Sequence, residues 1–281
     1  METAASPTTA CNERSLLPAY FYPGPAWDAA LASATGGSTI IVNPASGPGA
    51  AFDPNYARVV AAAQAKGAVL YGYVDTKYAT VPLATLQRQV QDYRSWYGIG
   101  NIFFDDASSQ SAAVGYYASA SQMVKSAAPG ASVMLNPGDY PSSQYATLGD
   151  VLVIFEGTFQ QLQASTPPAW LAQYPATQFA ALVNDVPATA VGTALALAGA
   201  DHAAYVYATP QTVSSTLYEH VPSYWGAELA SLATGCRSSG GIAGAGYWEV
   251  ASDGGIFAFG AARFDGSMGA THLNAPIVGM G

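Results

Sequence analysis

Apolar residues in the first 236 positions gather into eight short runs separated by polar or alanine-rich stretches. The runs are LLPAYFYP (16–23), STIIVNP (38–44), AVLYGYVDT (68–76), NIFFDDAS (101–108), ASVMLNPG (131–138), DVLVIFEG (150–157), TQFAALVND (177–185) and HAAYVYATP (202–210). They are continuous rather than alternating, which is the pattern of strands buried on both faces. The segments 26–37, 53–67, 82–98, 113–130, 167–175, 190–200 and 216–236 between or after them read as helical, and several close on Gly just before the next run. The fifth connection, DYPSSQYATLG (139–149), is too short for a full helix. Eight β-then-α units predict an α/β protein built as a (β/α)8 TIM-like barrel. A doubly wound open sheet is the alternative, but no Gly-rich phosphate fingerprint follows the first run.

The texture changes at both ends. Residues 1–14 form a polar leader without the apolar core of a signal peptide, which fits either a cytoplasmic protein or a mature domain behind a removed signal. Residues 15–236 are the expected barrel domain. Residues 237–281 read as a linker and one small β-rich unit, with short strands punctuated by Gly and Asp-Gly turns. GIAG at 241 and VGMG at 278 occupy the same point of a repeat about 38 residues long. The stretch GYWEVASDGGIFAFGAARFDGS resembles repeats of secreted and surface proteins of actinobacteria. The two cysteines, Cys11 and Cys236, bracket the barrel domain. A closed ring brings its ends together, so a Cys11–Cys236 disulfide is expected, and with it an oxidising, extracellular location.

Charge narrows the partners. Of 281 residues, 18 are acidic and 9 basic, a net charge of −9. That balance argues against a nucleic-acid partner, which would need a basic surface. It suits a neutral or cationic ligand. No run of 18 apolar residues predicts a membrane span, and the protein is expected to act as a monomer without a cofactor.

In a (β/α)8 barrel the chemistry gathers at the carboxyl ends of the strands. Those ends carry Asp75, Asp105, Asp106, Asp139, Glu156 and Asp185, with Lys77 the one base among them. Asn43, Asn136, Asn184, Tyr22, Tyr73, Tyr78 and Tyr207 fall there too. Acids, amides and rings on one face suit a sugar, whose apolar faces stack on aromatics while its hydroxyls take hydrogen bonds. Glycosidic cleavage needs two carboxyl groups in different protonation states. Glu156 follows VLVIF, a setting that raises a carboxyl pKa, and is assigned as general acid. One of Asp105 and Asp106 is the nucleophile; successive strand residues point opposite ways, so the two are expected to differ in role. Substrate-binding duty is expected for Tyr22, Asn43, Tyr73, Asp75, Tyr78, Asn136, Asp185 and Tyr207. For Asp53 and Asp139, helix capping or turn duty competes with ligand contact. No metal site is expected: His202, His220 and His272 are placed wrongly for a histidine-rich hydrolase centre, and no Gly-x-Ser-x-Gly elbow occurs.

Seven segments in order, YFYPGPAW, IIVNPASGPG with DPNYARVV, GYVDTKYAT, GNIFFDDAS, MLNPGDY, VIFEGT and HVPSYWGAEL, resemble the spherulin-4-like (spherulation-specific) proteins, glycoside hydrolase family 135. The resemblance spans roughly 16–232. It implies a (β/α)8 hydrolase that cleaves α-1,4-linked N-acetylgalactosamine polymers, such as fungal galactosaminogalactan, internally. The implied acidic trio is an adjacent pair after the fourth strand and a Glu after the sixth, here Asp105, Asp106 and Glu156. The family often has Asp-Glu where this chain has Asp-Asp. A carbohydrate-binding surface protein on the same barrel is the second reading.

Overall fold

The computed structural model describes residues 14–34, 37–212, 217–238, 246–250 and 256–260, with side chains through 232. Eight strands run through the first part: β1 Arg14–Ala19, β2 Thr39–Val42, β3 Val69–Asp75, β4 Asn101–Asp105, β5 Val133–Leu135, β6 Val151–Thr158, β7 Phe179–Asn184 and β8 Tyr205–Ala208. Each pairs in parallel with the next, and β8 returns to β1, so the sheet is a closed barrel rather than an open one. The helices are α1 Pro25–Ser33, α2 Pro54–Ala65, α3 Leu83–Tyr97, α4 Val114–Ala127, α5 Phe159–Gln163, α6 Val191–Ala200 and α7 Trp225–Ser238. The barrel lies in one compact unit, Asn12–Thr234. A second unit includes Gly235–Gly281 and holds an antiparallel pair, β9 Gly246–Val250 with β10 Ile256–Gly260. Cys11 and the Cys236 side chain lie outside the described residues, and so does the expected disulfide.

The fifth connection, expected to be too short for a full helix, forms a 3-10 turn, Ser143–Thr147. Elsewhere the helix layer departs from expectation in two places. The segment 167–175 is also 3-10 rather than α-helical. The helix after β6 lies earlier instead, at α5, where Thr158 and Gln161 close a reciprocal capping box. After β8 the helix begins only at Trp225, past Pro222. Among the described residues no helix is long and apolar enough to cross a membrane.

On the last two strands, side chains alternate between two packed faces. Ala181, Val183, Val206 and Ala208 pack outward with α6 residues Ala194, Leu195 and Ala198, while the alternate residues Ala180, Leu182, Tyr205 and Tyr207 turn the other way, inward, and belong to the large core cluster. On β3 the alternation leaves Gly72 facing α3. A Cβ there would lie 2.6 Å from the Tyr93 ring, so only glycine admits that ring, whose hydroxyl donates to Val42 O at 3.0 Å.

One irregularity matters for chemistry. The β6–β7 register runs Val153↔Ala180 and then Phe155↔Ala181, so Ile154 is an extra residue, a bulge. Counted by twos from Val153, which pairs with inward-facing Ala180, strict alternation would turn Phe155 inward and Glu156 away from the barrel. With the bulge, Glu156 pairs with inward-facing Leu182 and Phe155 packs outward. The extra residue turns Glu156 into the barrel.

Candidate active site

Asp75, Asp105 and Asn136 stand side by side on neighbouring strands at the carboxyl-terminal rim, because β3 and β4 pair Asp75↔Asp105 and β4 and β5 pair Phe104↔Leu135. The chain beyond β4 is pinned from several sides. Thr76 N donates to Asp105 O, Tyr78 N to Asp106 O and Ala107 N to Asn136 O, at 2.7–3.0 Å. On the other side, Glu156 N donates to Gly138 O at 2.9 Å. Gly138 has φ of 69°, a left-handed conformation that favours glycine.

At the centre, Asn136 Nδ2 donates to Asp105 Oδ1 and to Glu156 Oε2, each at 2.7 Å. Two contacts of that length hold the acceptor oxygens within about 5.4 Å of each other. Tyr218 Oη donates to the other Glu156 oxygen, Oε1, at 2.8 Å. The Tyr73 phenol lies beside Asp105, whose charge adds to the rise in the phenol's pKa caused by burial. Burial pushes the Asp105 carboxyl up to about 7, and the neighbouring Glu156 charge adds to the shift. Burial also raises Glu156, against the opposing pull of hydrogen bonds from Asn136 and Tyr218. Two half-buried carboxyls this close cannot both ionise without cost, so they retain a proton near neutrality.

Asp106 is set differently. Its φ of 46° ends the strand and abolishes the alternation expected for the adjacent acids. Both now line one open cavity of about 350 Å³, together with Tyr78, Asn136, Pro137, Gly138, Asp139 and Glu156. Burial and the Asp75 charge raise the pKa of Asp106, while Tyr78 and Lys77 beside it pull the other way.

The other expected residues divide. Tyr73 and Asp75 sit beside the carboxylates, and Asp75 Oδ1 also accepts from Lys77 N at 2.7 Å. Asp139 lines the cavity. Asn43 orders its own loop, accepting from Gly47 N at 3.2 Å. Asp53 caps α2 by accepting from Asn55 N, and Tyr22 donates to that same carboxylate. Asp185 and Tyr22 are not among the residues lining the cavity. Tyr207, expected on the ligand face, is instead fully buried, with the Tyr218 ring 5.8 Å away. Two further phenols, Tyr218 and Tyr20, belong to the site without standing out in the strand-end pattern. Tyr20 lies edge-on to both Tyr73 and Tyr218, close enough to Asp105 and Glu156 that their charges add to the rise in its pKa caused by burial. Tyr20 was visible as the first phenol of YFYP; Tyr218 carried no local signal, because its loop returns to the site from beyond β8.

A family profile described as Spherulin4, spherulation-specific family 4, matches residues 14–232. The chain belongs to that family. Within it, Spherulin-4 of Physarum polycephalum is 34% identical over 152 residues, covering 53% of this chain and 46% of that protein. The match therefore spans about half the length of that curated relative. Among solved structures, Sph3 of Aspergillus clavatus in complex with GalNAc superposes with a TM-score of 0.70 at 24% identity. It covers 80% of this chain and 99% of that one, and it shares the barrel fold. The spherulation-specific family 4 match takes in every residue of the cavity.

Proposed function

We propose that this protein is a secreted glycoside hydrolase that cleaves an α-1,4-linked N-acetylgalactosamine polymer internally, using Glu156 as general acid and Asp105 as the reacting carboxylate. The observation that carries the reading is the single amide of Asn136 held between the two carboxyl groups at 2.7 Å each. A glycosidase needs one carboxyl protonated and one ionised on either side of the scissile bond, and a shared proton near neutrality supplies that pair. Glu156 gives its proton to the leaving glycosidic oxygen while Asp105 attacks the anomeric carbon. Water then displaces Asp105, with Glu156 taking back a proton. The short separation supports this retaining course over an inverting one, which leaves room for a water between the carboxyls. Asp106, more open and beside Tyr78, holds substrate rather than reacting.

The amino-sugar assignment is supported by family membership and by the GalNAc bound to Aspergillus clavatus Sph3. The net charge of −9 also suits a partly deacetylated, cationic polymer. The deciding experiment is product release from purified α-1,4-N-acetylgalactosamine polymer by wild type, Glu156→Gln and Asp105→Asn. Oligosaccharides from wild type, reduced about a hundredfold or more in both variants, are the expected outcome. Full activity in either variant overturns the residue roles. Retention of the polymer by wild type without cleavage identifies a binding protein instead.

A further inference from the structure

Among the described residues the large hydrophobic side chains left exposed are Tyr22, Phe52, Tyr78, Val69 and Leu83. The three aromatic ones share a location. Tyr22 follows β1, Phe52 lies between β2 and α2, and Tyr78 lies between β3 and α3, so all three stand on the rim that carries the carboxylates. Scattered exposed rings need no explanation, but three on consecutive loops of one rim do.

Two of them form a built platform. Tyr22 is 58% exposed, yet its hydroxyl is fixed, donating to Asp53 Oδ2 at 2.9 Å and accepting from Asn55 Nδ2 at 2.9 Å. Its ring stands edge-on to Tyr56. Phe52, 50% exposed, is stacked on Tyr97 with an interplanar angle of 25°. Tyr97 in turn touches Tyr56 and accepts from Asp53 N, which ties the two exposed rings into one unit around Asp53. A rigid ring loses little freedom when a ligand stacks on it, unlike a mobile one.

We propose that Tyr22 and Phe52, with Asp53 and Asn55 between them, form a further subsite for one amino-sugar unit of the glycan chain, outside the cavity that holds the carboxylates. The inference rests on the glycosidase reading above and extends it to how the polymer is held. The apolar face of a pyranose covers a ring, and the carboxylate and amide take its hydroxyls or a free amine. The hydrogen bond from Asn55 N leads several that keep the Asp53 carboxyl below its usual range, so it stays charged toward a cationic unit. Continuity with the cavity comes from strand order. The cavity lies on the loops of β3 to β6, with Tyr78 at its β3 edge, and the platform occupies the next two loops, of β2 and β1. Exposed Tyr78 thus stands between the reacting carboxylates and the platform along the rim.

The test measures affinity for α-1,4-galactosamine oligosaccharides of graded length, acetylated and partly deacetylated, in the Glu156→Gln background. With both rings present, affinity climbs with length until the chain reaches the platform. Tyr22→Ala with Phe52→Ala flattens that climb and weakens binding of long chains about tenfold or more, and Tyr22→Phe, which keeps the ring, retains most of it. Thermal melting confirms that the variants are folded. An unchanged length dependence in the double variant overturns the subsite, as does failure of Glu156→Gln to bind long chains at all. Cleavage by wild type, measured separately, decides the glycosidase reading: turnover with no effect of the double variant defeats only the subsite, and ring-dependent binding without turnover defeats only the hydrolase.

Discussion

Tyr218 reaches Glu156 from the far side of β8, donating its phenol to Oε1 at 2.8 Å. The residue that sets one face of the proposed acid therefore comes from a loop rather than from a strand. Tyr218 has φ of 69°, a conformation its neighbours must hold in place; its own N–H donates to Gln211 Oε1 at 3.0 Å. Because the phenol stabilises the charged carboxylate, its loss leaves Glu156 holding its proton to higher pH. In Tyr218→Phe the alkaline limb of the kcat pH profile is expected to move to higher pH, with kcat reduced about tenfold. A pH–rate profile of the two proteins checks the direction.

Asn136 contributes geometry as well as hydrogen bonds. Replacing it by Ala removes the donor shared by two half-buried carboxyls, and each loses a stabilising contact worth about 1.5–3 kcal/mol in its charged form. Asn136→Ala is expected to lower kcat by about a hundredfold or more with a smaller change in KM. Asn136→Asp adds a third acid to the same layer and is expected to do worse. Steady-state kinetics on the polymer separates the two variants.

The raised Asp105 carboxyl makes stability fall as pH rises. Unfolded, it titrates near 3.8; folded, burial and the Glu156 charge raise it to about 7 and the retained proton is shared by the pair, so between those values the native state binds more protons than the unfolded chain. The folded state is favoured at the acidic end of that window and loses the advantage as pH climbs through about 7. Asp105→Asn cannot ionise and escapes this loss. It is expected to gain up to about 4 kcal/mol over wild type at pH 8, and little or nothing at pH 4, in denaturant melts.

Glu228 offers a parallel case outside the cavity. It is fully buried on α7, and its Oε1 accepts from Ala208 N at 2.9 Å. Strands β1 and β8 pair only through Arg14 and Ser15, so this carboxyl serves a backbone group beyond their ladder. Burial pushes it up to about 8, and the same sign applies: the native state loses stability as pH rises from near 4.5 through about 8. Glu228→Gln keeps an acceptor for Ala208 and is expected to be more stable than wild type at pH 9. Glu228→Leu strands that N–H and is expected to lose about 1–3 kcal/mol at pH 6. Melting curves at the two pH values test both.

Gly138 is held at φ of 69° while its carbonyl accepts from Glu156 N. An added Cβ would lie 3.5 Å from Glu156 Cβ, an ordinary contact, so the penalty of Gly138→Ala is in the backbone. About 1–2 kcal/mol of destabilisation is expected, together with lower kcat as the Glu156 backbone shifts. Thermal melts and kinetics read the two effects separately.

The eight apolar runs of the sequence correspond one for one to the strands because each is enclosed on both sides, by the barrel interior and by the helices. The helices were less legible where connections are short. A stretch such as PPAWLAQYP has helical composition, but its prolines restrict it to a 3-10 turn. The cavity acids Asp105, Asp106 and Glu156 were readable because strand ends in such a barrel are where polar groups collect. Their geometry was not. Period-two alternation separates Asp105 from Asp106, and only the left-handed turn at Asp106 brings both to one cavity. Tyr218 and the shared Asn136 amide depend on contacts between segments far apart in the chain, which no local pattern encodes.

The bulge at Ile154 makes the inward aim of Glu156 a matter of counting. What turns that carboxyl toward Asn136 is the number of residues between Val151 and position 156, not the chemistry of any one of them. Deleting Ile154 would leave the apolar character of the strand intact and a glutamate still at its end, yet rotate that glutamate out among the helices. Two relatives aligned by hydrophobic pattern alone could thus share every acidic residue and differ by one unremarkable aliphatic, with one of them chemically silent.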